Sequence, residues 1–345
     1  MSALGEDAAP WGPPYLLYLG SATDDLSIKT ARGLAYWRPQ WCLGQYRSAD
    51  CAVTLGLPDI DLAQGRAYGA RTMVIGVANA GGVMSAEMVT DVIAALEAGL
   101  HVVSGLHHKL SEHPDIVAAA RSRGCTLFDA RLPRPGTPVG TGKPRAGRRL
   151  LTVGTDCSVG KMYTALALER SLRERGHPAD FRATGQTGIL VAGAGIPIDA
   201  VVADFISGAA ESISPDRTDA GWDLIEGQGS LFHPSFAGVS LGLLHGSQPD
   251  ALVLCHEPTR RHMRGLVDYP IPDLMTCMEA NLAAARLTNP AVKPVGVALN
   301  TSHLSEHEAR GACDRVGALF GLPCQDPVSM GVEAIVDHLL ASFAN

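Results

Sequence analysis

Short runs of Val, Leu and Ile alternate with amphipathic stretches along almost the whole chain, and this alternation predicts interleaved strands and helices. In the first third, residues 15–20, 51–57, 71–79, 101–106 and 125–130 are apolar runs of six to nine residues. They are too short for helices and read as strands. Residues 85–99 have a different period. Met88, Val92, Ala95 and Leu96 fall on one helical face, Ser85 stands where a cap belongs, and Gly99 closes the pattern. A strand, a helix and a strand with short connections form a right-handed parallel unit, so this part is expected to be Rossmann-like.

The alternation resumes in the second half, with strands expected at 150–154, 181–184, 200–204, 222–226, 251–255 and 295–299. Between the halves, residues 131–149 hold four prolines, four glycines, six basic residues and no acidic one, without periodicity. That is linker chemistry, read as solvated. The expectation is therefore an α/β protein with a Rossmann-like domain at 1–135, a linker at 136–149, and a P-loop NTPase-like parallel-sheet domain at 150–345.

Composition narrows the class. A chain of 345 residues exceeds one ordinary core, and 46% hydrophobic content fills two. A formal charge of −7 argues against a general nucleic-acid binder. No apolar run reaches the roughly 18 residues of a membrane span, and no leader pattern opens the chain. The eight cysteines are dispersed without a C-x-x-C pair, which suits reduced thiols in the cytoplasm.

The chemistry concentrates at the ends of expected strands. After the run 150–153, residues Gly154, Thr155, Asp156, Cys157, Ser158, Val159, Gly160 and Lys161 form a Gly-x5-Gly-Lys loop leading into a helix rich in Ala and Leu. Backbone amides and a helix N-terminus in that setting cradle phosphate, and Lys161 adds a point charge. Met162 stands where nucleotide-hydrolysing loops place the Ser or Thr that binds magnesium. The loop thus suits a ligand whose phosphates are held rather than cleaved. Glu226 ends another strand, where a carboxylate can act as a general base, ligate a metal, anchor an ammonium group, or simply satisfy loop amides. Asp204 is either a second carboxylate there or a helix cap. Gln186 and Thr187 follow "RATG" and are expected to line the same crevice. His256, Arg260 and Arg261 follow the strand at 251–255, arranged for an anion with His256 as proton carrier, or as a solvated basic loop. In the first half, His107 and His108 either help hold an anionic substrate or are loop polar groups. His303 and His307 do not share a helix face, because Ser305 and Glu308 form a capping box between them, so no metal site is expected. "GVANAGG" at 76–82 lacks the spacing of a dinucleotide fingerprint.

The order "GTDCSVGKM", "WDLIEGQGS", "PVGVALNTS" resembles dethiobiotin synthetase and its P-loop relatives. A fuller likeness adds "GVANAGG", "ALEAGLHVVSGLHHKL", "RATGQTGI" and "IEGQGSLFHP" and covers nearly the whole chain. It is to the D-glutamate N-acetyltransferase family, whose pattern includes the methionine after the loop lysine. That resemblance implies transfer of acetyl from acetyl-CoA to the amine of D-glutamate in D-amino-acid catabolism. On this reading no metal is required, the loop from Gly154 to Met162 holds CoA, and the amino acid sits between the domains. Glu226 receives the amine proton, with Asp156 and Asp204 behind it, while Arg260 and Arg261 pair with substrate carboxylates. The expected partners are small molecules and further copies of the chain in a homo-oligomer, with neither nucleic acid nor membrane. The alternatives are an ATP- and magnesium-dependent ligase or kinase, and a nucleotide-switched scaffold protein.

Overall fold

The computed structural model describes residues 11–77, 83–133 and 136–344. The chain divides into two compact units, one running to Leu132 and including 189–193, the other comprising the rest. In the first unit, β1 (Tyr15–Gly20), β2 (Cys42–Arg47), β3 (Thr72–Ile75), β4 (His101–Ser104) and β5 (Leu127–Asp129) form one sheet. Its order is β2-β1-β3-β4-β5 and every pairing is parallel. The crossovers carry α1 (Lys29–Trp37), α2 (Leu62–Ala67), α3 (Ala86–Glu97) and α4 (Pro114–Arg123). Burial on both faces explains why β1 and β3 are largely apolar, with the Thr72 hydroxyl satisfied by the Gly12 backbone. Helix α3 begins where the sequence places it, the Ser85 hydroxyl accepting from the Met88 amide at 3.1 Å. Gly99 then turns the chain at a φ of 84°.

One expected strand is misplaced. Residues 51–57 form no strand, and the edge position belongs to β2, "CLGQYR". Gln45 of β2 explains the exchange. Its amide donates to Thr54 Oγ1 and Asp59 Oδ1 and accepts from the Leu55 amide, holding 51–57 as a side-chain-bonded loop. Of "GVANAGG", residues 78–82 lie outside the described residues.

The second unit is a six-stranded parallel sheet. Its strands are β6 (Arg148–Gly154), β7 (Ala179–Arg182), β8 (Trp222–Ile225), β9 (Ala251–His256), β10 (Lys293–Leu299) and β11 (Cys324–Gln325). They are ordered β11-β10-β9-β6-β8-β7, so β6 is central, with β8 and β9 beside it. The helices after β6 are α5 (Lys161–Glu174), α6 (Gln186–Ala192), of which 189–192 are counted with the first unit, α7 (Ile206–Ile213), α8 (Ala237–Ser247), α9 (Leu274–Arg286), α10 (Glu306–Phe320) and α11 (Glu333–Ser342). Leu151, Val153, Ile225, Leu252 and Leu254 lie in one buried cluster with residues of α7, α8 and α9, fixing the carboxyl ends of three adjacent strands. Both bonds of the Ser305–Glu308 capping box form ahead of α10.

Two further expectations meet a different outcome. The run 200–204 is not a strand but part of two 3-10 turns, at Ile198–Ala200 and Ala203–Phe205, with Val202 66% exposed. β7 stays the sheet edge, and the segment turns instead of extending beside it. The basic segment ahead of β6 is not a free tether either. Thr141 and Gly142 donate main-chain bonds to Glu211. The Arg145 guanidinium reaches the carbonyls of Glu211, Ser214, Gly246 and Ser247, and Arg148 and Arg149 already belong to β6. Among the described residues, no helix is long and apolar enough to cross a membrane.

Candidate functional site

The carboxyl ends of β6, β8 and β9 bring the phosphate loop, Glu226 and the His256–Arg264 segment together. β6 ends at Gly154 and α5 begins at Lys161, so residues 155–160 form the loop. Ser158 and Gly160 both take positive φ, 55° and 103°, which turns the loop back to the helix start. No side chain caps α5, whose first-turn N–H groups and positive dipole end remain available to an anion. The Lys161 ammonium is buried and donates to the carbonyls of Asp156 at 2.7 Å and Gly229 at 2.8 Å. Burial holds its pKa below the usual lysine value, against the opposing influence of Cys157, Cys255, Asp156 and Cys277. A Cβ at Gly154 would stand 3.3 Å from Lys161 Nζ and 2.9 Å from Val159, so the lysine's place requires glycine there. Met162 follows in the first turn, half-buried, and contributes no hydroxyl.

Glu226 lies beside this cradle, at the end of β8 and buried. Its Oε2 accepts from the Thr184 amide at 2.9 Å and the Gly185 amide at 3.0 Å. Desolvation pushes its pKa up to about 7, Asp199 adds to the rise, and the two amides and Lys161 oppose it. The "RATGQTG" segment is shaped around this carboxylate. A Cβ on Gly185 would come within 3.1 Å of Oε1, and one on Gly188 would overlap Oε2. Gln186 opens α6 with its Oε1 buried and unpartnered, while Thr187 is half-buried. The Gln228 amide donates to Thr184 Oγ1 and completes this wall.

Arg260 laces the loop from outside. It bonds Asp156 Oδ2 at 2.8 Å, the Cys157 carbonyl at 2.6 Å, the Ser158 carbonyl and Glu257. Asp156 Oδ2 also accepts the Arg264 main-chain amide at 2.7 Å, and the Arg264 guanidinium reaches Ser158 Oγ at 2.8 Å. Asp156 is thus an ion-pair partner inside the loop, and Arg260 is already occupied by protein acceptors. Arg261 is exposed. His256 Nδ1 meets Thr155 Oγ1 at 3.0 Å. Burial depresses the imidazole to a pKa of about 4, with Arg260 assisting and Glu257 opposing, so it is neutral near pH 7. Asp204 is exposed, without a side-chain partner among the described residues, whereas Asp199 is the second carboxylate acting on Glu226. His107 and His108 are exposed in the other unit, on the loop after β4.

Two residues that the sequence does not single out as site members, Asp199 and His233, thus belong here together with Arg264 of the basic run after β9. A ring nitrogen of His233, a carboxylate oxygen of Asp156 and the Cys157 sulfur lie within 4.8 Å of one another, the spacing of a possible cation site. Only Arg264 carries a local signal, the basic run after β9.

Comparison with known proteins follows the same outline. Residues 46–133 match the domain of unknown function DUF1611_N, a Rossmann-like domain, and residues 138–336 match DUF1611_C, a P-loop domain. A D-glutamate N-acetyltransferase of Pseudoalteromonas sp is 52% identical over 95% of this chain and 98% of its own length. A protein of the same name from Tritonibacter scottomollicae is 50% identical, with the same coverage. A crystal structure of a DUF1611 family protein from Anabaena variabilis superposes with a TM-score of 0.87 at 32% identity, covering 95% of this chain and 99% of that one. With both domain models matched in order and relatives aligned over nearly the whole length, the chain belongs to the DUF1611 family.

Proposed function

We propose that the protein transfers acetyl from acetyl-CoA to the amino group of D-glutamate, the substrate in the names of both curated relatives. The observation that carries this reading is a carboxylate with a pKa of about 7 set beside a phosphate cradle that lacks the magnesium hydroxyl. An amine is protonated near neutrality and must lose a proton to become a nucleophile. A buried Glu226 poised at that pH is suited to take it. Phosphate groups of CoA are held by the α5 amides and Lys161, with Arg264 and the exposed Arg261 at the rim. The ammonium gives one proton to Glu226, which passes it to solvent before attack. The C–N bond then forms, the nitrogen gives a second proton to Glu226 as the C–S bond breaks with its electron pair leaving on sulfur, and Glu226 hands that proton to the departing thiolate.

Arg260 keeps the loop in shape and Asp156 anchors Arg260, so neither serves as base or carboxylate receptor in this scheme. Neutral His256 supports the loop through Thr155 rather than carrying charge. Gln186 and Thr187 face the substrate. All eight cysteines are free thiols, which supports a reducing compartment, and we place the enzyme in the cytoplasm.

The test is release of CoA thiol across D- and L-amino acids, with and without ATP and Mg²⁺. Release with D-glutamate in the absence of ATP supports the reading. ADP formation with a carboxylate substrate would replace it with ligase or kinase chemistry, and ATP-dependent assembly without turnover with a scaffold.

A further inference from the structure

His233 follows β8 in "GQGSLFHPSF" and is only 4% exposed. Its ring stacks on Phe236, with centroids 4.3 Å apart and planes at 27°. Nδ1 accepts the Ser235 main-chain N–H at 3.1 Å. A main-chain amide always donates, so Nδ1 carries the lone pair and the ring proton resides on Nε2. Nε2 has no hydrogen-bond partner among the described residues, although the ring is buried and set against the loop beside Asp156 and Cys157. A donor without a protein partner, on a buried ring held against the loop of a ligand cradle, is free to meet an acceptor on a bound ligand.

The tautomer limits what His233 can do. A ring whose Nε2 bears the proton cannot ligate a metal or receive a proton through that nitrogen without giving up the Ser235 bond. Asp156, the other hard ligand of the possible cation site, already accepts from Arg260 and Arg264. What remains is a neutral donor, fixed in direction by stacking on one side and an amide on the other. A neutral donor beside a carboxylate suits an uncharged carbonyl that gains charge only as the reaction proceeds, better than a phosphate already fully charged.

We infer that His233 is a catalytic residue that donates its Nε2–H to the thioester oxygen of the acetyl group and stabilises the oxyanion formed when the amine attacks. This rests on the acetyl-CoA reading above. In the tetrahedral step the carbonyl π pair moves onto oxygen as the C–N bond forms, then returns as the C–S bond breaks. The His233 proton stays on nitrogen throughout, while the amine proton goes to Glu226.

The test combines NMR with the variants H233Q and H233A. In ¹⁵N-labelled wild-type protein near pH 7, the His233 signals, assigned by their loss in H233Q, should show an unprotonated Nδ1 and a protonated Nε2. In turnover, H233A should lower kcat by about 10²–10³-fold. H233Q, which keeps an N–H donor, should recover at least tenfold of that loss, and both should bind CoA as the wild type does. An Nδ1–H tautomer would overturn the inference, as would CoA binding weakened in H233A in proportion to kcat, or stoichiometric metal lost in the variants. The tautomer reports on His233 even if the wild-type protein does not turn over acetyl-CoA, so failure of the activity reading is separable from failure of this one.

Discussion

Glu226 combines two conditions that set its behaviour, burial and two amide donors on one oxygen. Burial dominates, and a carboxyl that ionises at about 7 is half-charged at the pH where an amine needs a base. Activity therefore rises as pH increases through about 7 and then levels, which a kcat/KM profile with D-glutamate measures. Stability moves in the opposite direction. The folded pKa lies above the unfolded one, so the Glu226 contribution is full below about 4.5 and is lost as pH climbs through about 7. Glu226→Gln keeps an acceptor for Thr184 and Gly185 without a charge. It should cost about 10²–10⁴-fold in kcat and flatten that part of the stability profile, as followed by thermal melts between pH 5 and 9. Lys161 acts through binding. A charge-assisted bond to phosphate contributes about 1.5–3 kcal/mol, so Lys161→Ala should weaken acetyl-CoA about 10–100-fold in calorimetry. Unchanged affinity would remove the lysine from the cradle. The sequence makes both residues visible because each ends or follows a strand within a compact motif. Asp199 is not visible in this way, since it comes from outside these motifs, and His233, although it follows Glu226 in the same motif, gives no sign in the sequence that it lies against Asp156 and Cys157.

At the level of elements, the site depends on how α6 approaches β8. Gly188 of α6 lies against the Glu226 carboxylate, and a methyl there would overlap Oε2. Gly188→Ala should lower stability by about 1–3 kcal/mol through overpacking and reduce kcat with it, read by denaturant unfolding and by rate. A variant with normal stability and rate would show that the carboxylate has room to move. The strands bounded by clear apolar runs, β1, β6, β8 and β9, are legible in the sequence because burial on both faces demands such runs. β2 is not, because Gly44 and Gln45 interrupt its pattern while "CAVTLGL" imitates a strand. Apolar content alone does not show whether a segment has a partner to pair with, and 200–204 folds into 3-10 turns instead.

Over the whole molecule, the two parallel sheets and their order along the chain follow from the alternation of runs, whereas the role of the basic segment between them does not. Its composition suggests a solvated tether, yet the half-buried Arg145 bonds to main-chain carbonyls around α7 and α8. Arg145→Ala should destabilise the second unit by about 2–4 kcal/mol, seen as a lowered unfolding midpoint, because those carbonyls lose their donor. A fully solvated segment would give no change. The proposed activity rests on the pairing of a phosphate cradle with a near-neutral carboxylate in one unit. The most direct test supplies purified protein with acetyl-CoA and D-glutamate, with no ATP or added metal, and follows thiol release together with the mass of the product. The account predicts one CoA thiol released for each N-acetylated D-glutamate formed. No thiol release, with ADP produced once ATP and Mg²⁺ are added, would contradict it.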